Sequence, residues 1–141
     1  MRMPALVAVD APAEAFVELF RALRENGMRC GWLELQAPSV VPPELEEAAV
    51  EGVLRAVAVG EGRSVAVKPL AGPPVLRDLV REHFLGCTVV LVRGHAGFPR
   101  LAPSGERWRL RSGETSEREL PLAGLVAELR RPRWRASEDP R

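Results

Sequence analysis

Short apolar runs alternate with stretches of helical periodicity along most of the chain. The run Ala5–Val9 is continuously apolar, which indicates a strand covered on both faces. Apolar residues then recur at helical spacing over residues 16–23, with Glu and Arg on the other face of the predicted helix. Asn26 and Gly27 predict the end of this helix, and the stretch MRCGWLELQ predicts a second strand. Strand, helix and strand in this order predict a right-handed βαβ unit.

The remaining pattern predicts further strands and helices. The runs LRAVAV and SVAVKPL flank GEGR, which predicts a hairpin, and CTVVLV, the most apolar segment, predicts a central strand. The other predicted elements are a short helix after Pro43, a helix in VLRDLVREHFL, a loop in RGHAGFPRLAPSGE, an edge strand in RWRLRS and a final helix in LPLAGLVAELRR. Strands that alternate with helices predict an α/β fold, a three-layer domain around a largely parallel central sheet.

The length of 141 residues corresponds to a single domain, to which we assign residues 1–131. Residues 132–141 lack apolar periodicity, so we expect them to form a flexible C-terminal tail.

Composition and charge narrow the class of protein. A net charge of +1 gives no general attraction to nucleic acid or to a membrane, so we expect neither as a partner. No run is long enough to span a membrane and the N-terminus lacks a signal-peptide layout, which predicts a cytoplasmic protein. Rare Lys, Ile, Tyr and Asn indicate a GC-rich bacterial genome, and scarce side-chain amides suit a thermophile. Cys30 and Cys87 lack CxxC spacing and are expected to be small buried side chains.

Two predicted strands end in polar loops that the fold brings to the same place. Ligands of parallel α/β sheets bind at the carboxyl ends of the strands, where Asp10 and the stretch RGHAGFPR lie. The glycines of this stretch allow close backbone approach, its arginines suit an anion, and His95 adds charge when protonated. The predicted ligand-binding residues are Asp10, Arg93, Gly94, His95, Gly97 and Arg100.

The expected occupant of this site is an anionic small molecule or the acidic surface of a protein partner. We expect Arg93→Ala and Arg100→Ala to weaken its binding and to leave the melting temperature nearly unchanged. No Ser or Cys nucleophile is visibly paired with His95, and two isolated histidines rarely form a metal site. We therefore predict no catalytic residue, no metal and no cofactor.

The turn after the first strand reads Asp10, Ala11, Pro12, Ala13. A phosphate-cradling loop of the form GxxxxGK[ST] needs glycines, a Lys and a Ser or Thr, and this turn has none of them. Pro12 removes an N–H donor and the Asp10 carboxylate repels phosphate. The sequence therefore predicts no hydrolysis of ATP or GTP.

Several segments nevertheless resemble one known family. ALVAVD, the helix and strand LRALRENGMRCGWLEL, and TVVLVRG followed by FPRL are similar to segments of molybdopterin-guanine dinucleotide biosynthesis protein B (MobB), of the P-loop NTPase class. The similarity spans residues 5–101 and implies a P-loop-NTPase-like topology with a link to molybdenum-cofactor biosynthesis. The family's first loop carries a Lys and a Ser or Thr, which have no counterpart here, and the acidic residue of its VEG segment is replaced by Arg93. The resemblance thus implies a non-catalytic accessory or binding protein with a degenerate phosphate-binding loop.

Two other interpretations account for the same pattern. One is a small α/β enzyme that acts on an anionic substrate at the carboxyl edge of the sheet. The other is a structural module that dimerises. Because an edge strand favours self-association and twofold dimers are the commonest closed oligomers, we expect a homodimer.

Overall fold

The computed structural model describes residues 2–35, 37 and 41–132. Apart from residue 132, the predicted tail lies outside the described residues. The strands are β1 Ala5–Val9, β2 Cys30–Glu34, β3 Ala56–Val59, β4 Ser64–Val67, β5 Val89–Arg93, β6 Arg100–Ser104, β7 Arg107–Arg111 and β8 Glu117–Leu120. The helices are α1 Val17–Glu25, α2 Glu46–Val50, α3 Leu76–His83 and α4 Leu122–Arg130.

The chain divides into two compact units, one formed by Met1–Gln36 with Arg77–Arg141 and the other by Ala37–Leu76. The first unit holds a six-stranded sheet in the order β2-β5-β1-β6-β7-β8. Neighbouring strands from β2 to β6 are parallel, and β7 is antiparallel to both β6 and β8. The predicted mixed α/β fold with a mostly parallel sheet is confirmed at this level. The assignment of residues 1–131 to one domain stays a prediction.

Helices α1 and α4 cover one face of the sheet in the first unit. Phe16 is completely buried there, with its ring centroid 5.7 Å from that of Trp32 and 5.8 Å from that of Trp108. On the opposite face Gly31 leaves space for an aromatic ring, since a Cβ built on it would lie 2.5 Å from Cδ1 of Phe84, the residue that follows α3. The apolar spacing of α1 is therefore explained by one large core that the sheet and two helices share.

The second unit contains the predicted hairpin. Strands β3 and β4 pair antiparallel, from Ala56 opposite Val67 to Val59 opposite Ser64. The short predicted helix is also present, as a 3₁₀ turn Pro43–Leu45 that leads into α2. Among the described residues, no helix of either unit is long and apolar enough to cross a membrane.

Two predictions about the C-terminal half of the sheet are wrong. Part of the predicted loop, Arg100–Ser104, is strand β6. Its Pro103 is tolerated because β1 pairs only with Arg100 and Leu101, so Pro103 has an edge position on that side. The predicted edge strand β7 is an inner strand, and the edge belongs to β8, whose charged residues make it unlike a typical buried strand.

Candidate functional site

A short connection crosses the carboxyl end of β1. Strand β1 lies between β5 and β6 and is parallel to both, with Val9 opposite Arg93 on one side and Leu101 on the other. The connection from β5 to β6 is residues 94–99, which we call the crossing segment. Parallel strands ordinarily need a dozen or more connecting residues. Here a short link is enough because β6 starts opposite Ala8, near the end of β1, and continues beyond it.

This end of β1 is also where the strand order of the sheet reverses. Strand β1 continues through α1 to β2, which lies beyond β5, whereas β5 continues to β6, which lies beyond β1 on the other side. In open α/β sheets the crevice at such a reversal is the usual ligand site. The crossing segment thus lies at the reversal of strand order, the position where ligands of open α/β sheets usually bind.

Arg100 holds the crossing segment in place. Its Nη1 donates hydrogen bonds to the carbonyl oxygens of His95 and Gly97, at 2.8 and 3.2 Å. Its Nη2 donates to Oδ1 of Asp10 in the turn after β1. The Arg100 side chain is 19% exposed and that of Asp10 is 85% exposed. A half-buried cation therefore ties the segment to the turn, with a carboxylate that faces solvent as its counter-ion.

An open concavity of about 420 Å³ lies beside this ion pair. Its lining residues are Asp10, Gly94, His95, Ala96 and Arg100. Four of the six predicted ligand-binding residues therefore meet around one space. Gly97, a fifth predicted residue, lies so close to the imidazole of His95 that a Cβ built on it would be 2.5 Å from Nε2.

Arg93, the sixth, does not line the concavity. Its Nη1 lies 3.5 Å from Oε2 of Glu34, the residue opposite it on β2, and Glu34 also accepts a hydrogen bond of 3.0 Å from Nε1 of Trp32. Arg93 and Arg100, which flank the crossing segment, thus each have a carboxylate partner. The expected excess of positive charge is largely compensated within the protein. Glu34 could have been found from the sequence, since it lies near the end of the predicted strand MRCGWLELQ, at the same edge as Asp10.

A second contact supports the crossing segment from β7. The guanidinium carbon of Arg111 lies 5.4 Å from the centre of the Phe98 ring, within the range of a cation–π interaction. The sequence pattern gave no signal for this pair, because the two residues meet only through the β6–β7 pairing.

The turn after β1 leads directly into a helix. Pro12 precedes a 3₁₀ turn, Ala13–Phe16, in which the N–H of Ala15 donates to the Pro12 carbonyl at 3.0 Å, and α1 follows at once. Only residues 10–12 separate β1 from this turn, which leaves too little chain for a loop that wraps a triphosphate.

The His, Cys, Asp and Glu side chains of the described residues bear on two kinds of chemistry, metal binding and thiol reactivity. In residues 2–35, 37 and 41–132, no group of three or more His, Cys, Asp or Glu side chains could hold a metal ion. Cys30 and Cys87 are free thiols and lie near the amino ends of β2 and β5. Burial, with a smaller contribution from Cys87, raises the pKa of the Cys30 thiol to about 12, so this thiol is not a nucleophile at neutral pH.

No protein-family model matches the chain, and no curated protein matches it either.

Proposed function

We propose that this chain is a non-catalytic, MobB-like accessory protein that binds an anionic small molecule, or the acidic surface of a partner, at the crossing segment. The observation that carries this proposal is the Arg100–Asp10 ion pair over the carboxyl end of β1. A P-loop protein would hold its nucleotide phosphates at this end of the strand. Here a carboxylate of the protein itself pairs with the nearest cation.

The electrostatics of the turn support the loss of nucleotide chemistry. A triphosphate that approached the end of β1 would meet the exposed Asp10 carboxylate before it met Arg100. The turn also has neither the Lys that reaches the outer phosphates nor the Ser or Thr that binds magnesium. Asp10 repels the phosphates, and the two side chains that would bind phosphate and magnesium are absent from the turn. The affinity for a magnesium–nucleotide complex is therefore low.

The local order of elements supports a P-loop-NTPase-like topology. Strand β1 lies inside the parallel part of the sheet and leads by a tight turn into α1, which is the strand–turn–helix order of phosphate-binding folds. In this proposal the chain keeps the topology and a cytoplasmic accessory role linked to molybdenum-cofactor biosynthesis, in a thermophilic bacterium.

Steady-state phosphate release tests the absence of catalysis. With GTP or ATP and magnesium, we expect no release above a protein-free control. Release that requires magnesium and disappears in Asp10→Ala would overturn the proposal.

The link to the molybdenum cofactor has a separate test. A ligand that binds only the native state raises its apparent stability, so purified molybdopterin should raise the melting temperature in a saturable way. The control ligand is a pterin without phosphate, for which we expect no rise. Equal responses to the two compounds, or none to either, would contradict an anionic ligand of this class.

We also propose a homodimer, supported by the second unit. Among the described residues β3 pairs only with β4, and a two-stranded ribbon alone is marginally stable in water. Val57 and Val59 share one face of this ribbon and are 52% and 81% exposed. A second copy offers the same face. Sedimentation should give the dimer mass, and Val59→Glu should give the monomer; monomer mass for the unmodified chain at all concentrations rejects the dimer.

A further inference from the structure

The two partners in the Arg100–Asp10 pair are held very differently. The Arg100 guanidinium is fixed by the carbonyls of His95 and Gly97, and the Arg100 side chain is 19% exposed. The Asp10 side chain is 85% exposed and lies in the turn after β1. Because exposed ion pairs are weak and this carboxylate is already mostly hydrated, its rotation into solvent has a small cost. The cation stays in place, and its counter-ion is exchangeable.

The space for another anion is already present. The concavity of about 420 Å³ opens beside the guanidinium, and the remaining lining residues Gly94 and Ala96 carry little or no side chain. His95 lines the same space and can donate a hydrogen bond. The concavity is open to solvent, so a phosphate group can approach Arg100 directly from solution.

We propose that Arg100 is an anion-exchange site, at which a phosphate dianion displaces Asp10 and binds in the concavity. The ligand class is a phosphomonoester or inorganic phosphate, because the Arg100 Nη2 that donates to Asp10 can donate to a phosphate oxygen instead, and the dianion attracts a cation more strongly than one carboxylate does. Asp10 is then an internal competitor that sets the affinity. This inference rests on the proposed function for the position of the ligand, and it identifies the ligand's chemistry and its regulation.

The decisive experiment is calorimetric titration with inorganic phosphate at low ionic strength. Asp10→Asn keeps the shape of the side chain and removes the negative charge that competes with phosphate for Arg100. Apparent affinity scales with the fraction of binding-competent molecules, and an exposed ion pair is weak, so we expect phosphate binding to be about two- to sixfold tighter in this variant. Arg100→Lys in the Asp10→Asn background should remove this gain, because lysine lacks the planar fork.

Glu34→Gln is the matched control. It makes the same change in net charge at the same edge of the sheet, but Glu34 pairs with Arg93 and does not line the concavity. Its phosphate affinity should equal that of the wild type. Titration of Asp10→Asn with GMP distinguishes a phosphomonoester ligand from free inorganic phosphate. Binding of GMP that is tighter than that of inorganic phosphate indicates a phosphomonoester, and equal binding indicates free phosphate. The dependence on Asp10 is the same in both cases.

The inference is overturned if folded Asp10→Asn, checked by circular dichroism, binds phosphate no better than the wild type. It is also overturned if Glu34→Gln gains as much affinity as Asp10→Asn. Either result leaves the non-catalytic proposal intact, whereas magnesium-dependent hydrolysis would overturn that proposal and leave the exchange at Arg100 unaffected.

Discussion

Replacement of Arg100 by methionine should destabilise the protein far more than the same change at Arg93. The Arg100 Nη1 donates to two backbone carbonyls, and hydrogen bonds from a charged group contribute about 1.5–3 kcal/mol each. Because both bonds share one nitrogen, we expect their loss to cost about 2–4 kcal/mol in total. The exposed pair with Asp10 adds at most about 1 kcal/mol. For a chain of this size the melting temperature should fall by roughly 6–15 °C.

Arg93→Met is the control for this prediction. It removes one ion pair at 3.5 Å, between side chains that are both about one third exposed, and should change the free energy of unfolding by less than about 1 kcal/mol. Urea and thermal unfolding followed by circular dichroism measure both variants. If Arg100→Met is no less stable than Arg93→Met, Arg100 does not hold the crossing segment. The structure therefore changes the expectation from the sequence, by which both arginines were dispensable for stability.

Three further changes test the packing and the titration of the first unit. Gly31→Ala places a Cβ 2.5 Å from an aromatic carbon and should cost about 1–3 kcal/mol in urea unfolding, whereas Gly113→Ala, which meets nothing within 4 Å, should stay within about 0.5 kcal/mol. Glu128 is 8% exposed and lies 2.5 Å from Arg118, whose side chain is 39% exposed. Glu128→Gln should therefore lower the free energy of unfolding by about 1–2 kcal/mol, and a double-mutant cycle with Arg118 should show the coupling between the two residues. Because the pKa of Cys30 is raised from 9.0 to about 12, the native state keeps its proton while the unfolded chain loses it; stability should fall as pH rises through this interval, and the same titration of Cys30→Ala should be flatter.

Local pattern was sufficient for the elements whose own residues fill the core. The run Ala5–Val9 and the segment CTVVLV became the adjacent strands β1 and β5, and the helical spacing after residue 16 became α1. In each case the apolar side chains are buried whatever strand lies alongside, so burial alone selects the conformation. The turn residues GEGR likewise predicted the hairpin β3–β4.

Strands β6 and β8 required the tertiary structure. RLAPS contains a proline and EREL alternates charges, so neither segment has enough apolar surface to specify a strand by itself. Their backbone N–H and C=O groups are paired by β7, which lies between them. A strand of this kind is stabilised by the strands that pair with it, and its own sequence does not determine which strands those are.

The site divides in the same way. From the sequence alone, the rule for strand ends brought Asp10 and the RGHAGFPR loop to one edge of the sheet, and that part depends only on the α/β order of elements. Strand register decided which charged residues form pairs. Arg93 lies opposite Glu34, and Arg100 starts β6 beside the end of β1, within reach of Asp10. Ion pairs form between residues far apart in the chain, and a shift of one residue in register would have turned an arginine to the other face of the sheet, away from its carboxylate. The sequence determined the composition of this edge, and the folded sheet alone determined that its arginines are already paired.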